Sequence, residues 1–268
     1  MTLTDLATVL DWAADEGWNP GDDAAAFLAS DPAGFLVDER DGRLAAAISV
    51  VNHDAKVAFL GLYLCHPDFR GQGIGFALWT HALDHAGSRT VGLDGVAAQQ
   101  ANYARSGFRP GGSTLRMQGS LPPQAAPLRD AGPLDAAGVH ALDHAANGHA
   151  RAAFLSGWTS PTPHRQTVVI DAGDGIAGYA TARICRAGCK IGPVVAPDAD
   201  TALTLICAAA ARIGAPAVTV DVPQANMSLL AELRHLGFTE TFRTARMYRG
   251  PAPPADATLQ AIATMELG

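Results

Sequence analysis

Residues 60–78, Leu60-Gly61-Leu62-Tyr63-Leu64-Cys65-His66-Pro67-Asp68-Phe69-Arg70-Gly71-Gln72-Gly73-Ile74-Gly75-Phe76-Ala77-Leu78, pass through three textures in turn. The first, 60–65, is a nearly continuous apolar run, which suits a strand buried on both faces. Pro67 and Asp68 break that strand. A loop with three glycines follows, and Phe76, Ala77, Leu78 and Trp79 open a helix. Strand, Gly-rich loop, helix is an arrangement that holds phosphates. The glycines let the backbone approach, several N–H groups converge on one anion, and the positive end of the helix dipole adds to them.

Spacing separates three kinds of phosphate loop. A nucleoside-triphosphate loop needs Gly-Lys-Ser/Thr four residues after its first Gly, and no Lys follows Gly73 or Gly75. A dinucleotide fingerprint needs G-x-G-x-x-G, but Gly71, Gly73 and Gly75 alternate and Phe76 follows them. What remains is R-x-x-G-x-G, met by Arg70, Gly73 and Gly75, with Pro67 ahead and an apolar helix behind. This closely resembles the acetyl-CoA pyrophosphate loop of the GNAT (GCN5-related) N-acetyltransferase superfamily. The plain alternative is a Gly-rich turn without a ligand.

At 268 residues the chain has room for one large domain or two ordinary ones. Hydrophobic residues are 48% and charged ones 17%, so a sizeable core is affordable and global disorder is excluded. A net charge of -7 argues against nucleic acid as a partner, which asks for a basic face. Four cysteines (Cys65, Cys185, Cys189, Cys207) offer no paired C-x-x-C and hence no zinc site, so no metal is expected. The first residues carry acids and no basic segment, unlike a signal peptide. No apolar run reaches membrane-spanning length. These features predict a soluble cytoplasmic protein.

Outward from the loop, residues 4–18 read as an amphipathic helix with Thr4 as N-cap and Leu6, Val9, Leu10 and Ala13 on one face. Asp22 or Asp23 caps a second helix through Phe27 and Leu28. Strands are expected at 35–38, 44–51 and 55–65, a meander that feeds the loop. A helix over 74–86, a strand over 90–94, a short helix over 99–106 and a strand around 115–117 follow. Tyr103 stands four residues before Gly107-Phe108, a second feature similar to the superfamily. The resemblance thus covers residues 1–119 with two motifs in order.

A Pro-rich linker is expected over 120–130, and beyond it the chain repeats itself. A shift of 130 positions carries Pro67-Asp68 onto Pro197-Asp198, Gly107-Phe108 onto Gly237-Phe238, and Arg116-Met117 onto Arg246-Met247. Leu93-Asp94 matches Val220-Asp221 after three residues are allowed in a loop. Motifs in one order at a near-constant offset imply duplication. The fold class is therefore α/β (α+β), two tandem GNAT-like domains with mixed, mostly antiparallel sheets: 1–119, then 131–268. In the second copy Arg70, Gly73 and Gly75 become Asp200, Leu203 and Leu205, and Tyr103 becomes Leu233, so this copy is read as degenerate. It is expected to brace the first half and wall the acceptor pocket. Residues 251–268 are expected to add a last strand.

The resemblance implies direct attack of an amine on the acetyl thioester of acetyl-CoA. Main-chain N–H groups of Arg70, Gly71, Gln72, Gly73, Ile74 and Gly75 then hold the pyrophosphate. Tyr63, Leu64 and Cys65 pair with the pantetheine arm through their main chain. Tyr103 is the candidate general acid, since a phenol is protonated at neutral pH. Asn102 and Gln99 are candidate CoA contacts, and Trp18, with Glu16 and Asn19, lies where the family lines its acceptor site, with a core plug as the alternative for Trp18. Asp94 is a candidate base or acceptor anchor, with a solvated strand-end acid as the alternative. No general base is visible on the strand before the loop. His140, His144 and His149 lack the H-E-x-x-H pattern, so a solvated helix face is expected there. The function expected is N-acetylation of a primary amine on a small molecule. A non-catalytic acyl-CoA sensor is the alternative, and a nucleotide-dependent oxidoreductase is disfavoured by Phe76 and the meander.

Overall fold

The computed structural model describes residues 1–21, 23–121, 128–173 and 175–268. The first half runs α1 (Leu3–Asp15), α2 (Ala24–Ser30), β1 (Phe35–Arg40), β2 (Arg43–Asn52), β3 (Val57–Cys65), α3 (Ile74–Ala86), β4 (Thr90–Val96), α4 (Gln100–Arg105) and β5 (Arg109–Ser120). The second runs β6 (Arg129–Asp130), α5 (Ala136–Asn147), α6 (Ala152–Trp158), β7 (Arg165–Ala172), β8 (Gly175–Ile184), β9 (Cys189–Val195), α7 (Ala199–Ile213), β10 (Ala217–Pro223), α8 (Met227–His235), β11 (Thr239–Arg249) and β12 (Leu259–Ala261).

Most elements lie where hydrophobic period and punctuation put them. β2 buries seven consecutive residues, Ala45 through Val51, because helices cover both faces of the sheet at that point. α3 buries Leu78, Trp79, Ala82, Leu83 and Ala86 along one stripe, and Gly87 ends it. Two expected caps differ. Thr2, not Thr4, caps α1, because Asp5 at the third helical position completes a reciprocal capping box with it. Asp23 occupies the N-cap position of α2, but its side chain makes no cap bond to the helix among the described residues. Its carboxylate lies 2.6 Å from Arg165 and 3.4 Å from Arg183, where two guanidinium charges outweigh one main-chain N–H. Asp22 and residues 122–127 of the Pro-rich linker lie outside the described residues.

The two halves share one sheet, of order β1-β2-β3-β4-β11-β5-β10-β9-β8-β7-β6, with β12 laid on β9. β3 and β4 are parallel, as are β9 and β10, and the other ladders are antiparallel. Each half gives its final long strand to the other: β11 pairs with β4, and β5 pairs with β10. β5 and β11 also pair with each other, and there the repeat-related Thr114 and Thr244 face one another in register. The local pseudo-symmetry axis therefore passes through this ladder.

α3 covers one face of the first half and α7 the matching face of the second. The opposite face of β2 and β3 is covered by α1 and α2 together with α6 from the second half. Phe27 of α2 meets Trp158 of α6 edge-on, ring centroids 5.7 Å apart. No helix among the described residues is long and apolar enough to cross a membrane.

The chain beyond β11 is more than an added strand. β12 lies against β9, and Ile262 N–H bonds to the Asp221 carbonyl of β10, so this segment fills the gap where β9 and β10 splay apart. The tail then crosses to the first half. Leu267 O accepts from His53 Nε2 at 2.7 Å, and Gly268 O accepts from Arg151 at 2.6 Å. Two glycines admit it. A Cβ on Gly192 of β9 would lie 2.1 Å from Ile262 O, and one on Gly61 of β3 would lie 2.0 Å from Glu266 O.

Candidate active site

β3 and β4 pair only as far as Leu60↔Leu93 and then diverge. Beyond that point β3 carries a bulge against β2, and Leu62 takes φ +47°. A left-handed bulky residue stores about 1–3 kcal/mol of backbone strain, which the surrounding packing must hold. The divergence opens a cavity of about 460 Å³. Its walls include Tyr63, Leu64 and Cys65 of β3, Asp94 and Val96 of β4, and Gln99 and Tyr103 of the following turn and helix. Arg116 of β5, Phe242 and Thr244 of β11, and Met265 and Glu266 of the tail close it from the other side.

The loop ahead of α3 presents a run of main-chain donors left unbonded among the described residues. Gly71 and Gly73 take φ +76° and +79°, the left-handed region that glycine enters without cost. Gly73 is the N-cap of α3 and offers no side-chain cap. The N–H groups of Gly71, Gln72, Gly73, Ile74, Gly75 and Phe76 donate to no acceptor among the described residues. The same end of α7 is different: Asp198 accepts from Thr201 N–H at 2.8 Å, and Asp200 adds a second acid in the first turn. A built-in carboxylate occupies the position that the first half leaves open to a ligand anion. With β12 and Ile262 filling the β9–β10 gap, the second half closes both the helix end and the strand divergence that the first half leaves open.

Arg70 N–H bonds to Pro67 O, while its guanidinium is shared between Cys65 O at 2.9 Å and Glu16 at 2.6 Å. Its side chain thus ties the loop to β3 and to the end of α1. Tyr103 is buried, stacks on Trp79 with ring centroids 5.3 Å apart, and borders the cavity. Its hydroxyl bonds to no group among the described residues, and burial, with Tyr63 next in weight, pushes the phenol up to about 12. Tyr63 reaches back so that its hydroxyl lies 3.0 Å from where a Cβ on Gly75 would be. Asn102 does not line the cavity; its amide bonds to Gln99 and accepts from Arg105.

Trp18 lines the cavity while packing partly on the core. Its carbonyl is pinned by Arg116 at 3.0 Å and Lys190 at 2.8 Å. Burial, then the Arg116 charge, lowers the Lys190 ammonium to about 8. The side chain of Asp94 is fully buried. It accepts from Arg246 at 2.7 and 3.1 Å, from Thr244 at 3.2 Å and from Thr114 at 3.4 Å. Burial raises its carboxyl above the ordinary range, with Arg246 pulling the other way. His140 and His144 lie apart from the cavity on α5, whereas His149 is half-buried 5.6 Å from His53. The sequence reading missed Phe242, Thr244, Met265 and Glu266. Only one signal for them was present, a lone acid inside an apolar tail segment.

Comparisons with known proteins agree with this geometry. The family description "Acetyltransferase (GNAT) family" matches residues 3–108, and "Acetyltransferase (GNAT) domain" matches residues 139–260. The chain is 33% identical to the holothin acyltransferase of Pseudoalteromonas sp. (strain SANK 73390), over all of this chain and 92% of that one. Among solved structures, a tandem GNAT protein from the clavulanic acid biosynthesis pathway superposes with a TM-score of 0.61 at 20% identity, covering 96% of this chain and 98% of that one. A GCN5-related N-acetyltransferase from Anabaena variabilis gives 0.58 at 17% identity, covering 99% and 81%. Two matched domains, and a relative aligned along the whole chain, make this protein a tandem member of the GNAT acyltransferase family.

Proposed function

We propose that the protein transfers an acetyl group from acetyl-CoA to a primary amine of a small molecule, in the first half's cavity. One observation carries the reading: six successive free N–H groups at the start of α3 adjoin a strand whose pairing with its neighbour stops. An extended thioester with a pyrophosphate at one end needs both parts. The loop Arg70 to Gly75 takes the pyrophosphate, and the unpaired edge of Tyr63, Leu64 and Cys65 takes the pantetheine amides. A main-chain N–H on that edge polarises the thioester carbonyl. Asn102, on the exposed side of α4, is assigned to the outer part of CoA.

The acceptor enters beside Trp18 and against the wall formed by Asp94 with Arg246. A small molecule is favoured because the second half closes this side through Phe242, Thr244 and Met265. The full-length relative is named for holothin, a further reason to test small acceptors. The amine attacks the thioester carbon, the C–N bond forms, the C–S bond breaks, and Tyr103 protonates the departing thiolate. A neutral phenol placed in the cavity suits that last step.

The test has two measurements. Calorimetry with acetyl-CoA, CoA and NAD is expected to show binding of the first two and none of the third. Thiol release with acetyl-CoA over a panel of primary amines and holothin is expected to be accelerated by at least one acceptor. Binding without any accelerated release would replace the enzyme by an acyl-CoA sensor.

A further inference from the structure

We propose that Glu266, delivered to the first half by the tail of the second, takes the proton from the acceptor nitrogen; this rests on the acyl-transfer reading above. Three carboxylates line the cavity: Glu16, Asp94 and Glu266. Glu16 is held by Arg70, and Asp94 by Arg246 and two threonines. Glu266 is different. It is only 6% exposed, yet its Oε2 is buried with no hydrogen-bond partner among the described residues. A buried carboxylate oxygen without a donor is costly, so a donor brought by a ligand meets an unfilled requirement there. Arg116, Arg183 and Lys190 all feel the Glu266 charge, which makes a carboxylate tolerable at this depth. None of the three bonds to it: Arg116 is committed to Asp221, Trp18 O and Met265 Sδ, Arg183 to Asp23 and Thr264, and Lys190 to Trp18 O.

Position supports the same role. The Glu266 carbonyl packs on Gly61, the residue at which β3 leaves β4 and the cavity begins. The tail is fastened on both sides of it. Thr264 Oγ1 contacts Arg183 and the Glu266 N–H before it, and Leu267 O and Gly268 O are held by His53 and Arg151 after it. A side chain so fixed is preorganised for proton transfer. As the C–N bond forms, one N–H proton of the amine passes to the Glu266 carboxylate and later to solvent. The C–S electron pair leaves on sulfur, which takes its proton from Tyr103, and the Tyr103 phenolate regains one from solvent, so protons and charges balance. The strand before the phosphate loop has no acid for this job, and the repeat supplies one from the other half.

The experiment is Glu266→Gln, assayed by thiol release from acetyl-CoA with the best acceptor of the amine and holothin panel. The variant should lose about 10²–10⁴-fold in kcat. It should keep its acetyl-CoA affinity, and lose the acid-side limb expected in the wild-type pH profile. If E266Q folds poorly, Glu266→Asp carries the test, with the acid limb kept and kcat reduced about 10-fold or more. Wild-type rates and an unchanged pH profile in either variant overturn the assignment of Glu266 alone. A wild-type protein that binds no acetyl-CoA and acylates no acceptor overturns the acyl-transfer reading and this assignment with it.

Discussion

Arg246 Nη2 lies 2.7 Å from Asp94 Oδ2, and the pair joins β11 of the second half to β4 of the first. Its repeat-related counterpart is Arg116 with Asp221, at 2.7 and 2.8 Å, which joins β5 to β10. Burial alone would raise Asp221, but Arg116, Lys190 and Arg183 outweigh it and hold the carboxyl below its ordinary range. Each aspartate thus receives its arginine from the other half, because the last long strands are exchanged. Removing one member of a buried pair strands the other. Arg246→Leu should therefore cost about 3–5 kcal/mol in urea unfolding. A loss under about 1 kcal/mol would show that the pair does not hold the exchanged strands.

Tyr103→Phe removes a hydroxyl that bonds to nothing among the described residues and leaves the Trp79 stack intact. Stability should change by less than about 0.5 kcal/mol. If Tyr103 is the general acid, kcat should fall about 10²-fold or more with the acceptor KM little changed. Full activity in the variant would remove Tyr103 from the reaction.

Gly73→Asp would give α3 the kind of acidic cap that Asp198 gives α7. It places a negative charge where the pyrophosphate is expected and forces an L side chain into φ +79°. Acetyl-CoA affinity should drop by about 10²-fold or more, which is about 2.7 kcal/mol. Melting temperature separates loss of the site from loss of the fold. Unchanged affinity would move the pyrophosphate elsewhere.

His53 and His149 predict acid sensitivity. Burial lowers His53 to about 3 and His149 to about 4, with Arg151 next among the causes for each. The unfolded chain binds these protons near the ordinary histidine value, and the folded protein does so only at much lower pH. Their contribution is therefore complete above about pH 6.5 and is lost as pH falls, by up to about 1.4 kcal/mol per pH unit for each histidine. Urea midpoints at pH 7 and pH 5 should differ accordingly, and His53→Asn should flatten the difference. Equal midpoints in the wild type would mean that these histidines are not held neutral.

The chain's local chemistry is legible along its length. The apolar run at 60–65, the break at Pro67 and the alternating glycines at 71, 73 and 75 specify strand, loop and uncapped helix, because each depends on neighbours within a few residues. α3 begins and ends as its period predicts, since Gly73 and Gly87 stand at its limits. The duplication is legible for the same reason: Arg116 and Arg246, or Asp94 and Asp221, can be matched by counting. Counting does not reveal which arginine meets which aspartate. Asp94 reads as a base, an acceptor anchor or a solvated strand-end acid until β11, from the distant second copy, is laid beside it.

The sequence alone therefore determined the family, the repeat, the glycine loop ahead of an uncapped helix and the loss of those glycines in the second copy, where Asp198 and Asp200 stand at the helix end. Only the tertiary structure decided that the halves trade their last long strands, and that the tail fills one cleft and borders the other. Both follow from long-range pairing, whose partners are chosen by burial and hydrogen-bond satisfaction across the sheet and leave no local periodicity. Glu266 shows the division. In the sequence it is one acid in an apolar tail, and beside Gly61 it becomes a cavity carboxylate without a partner at Oε2 among the described residues.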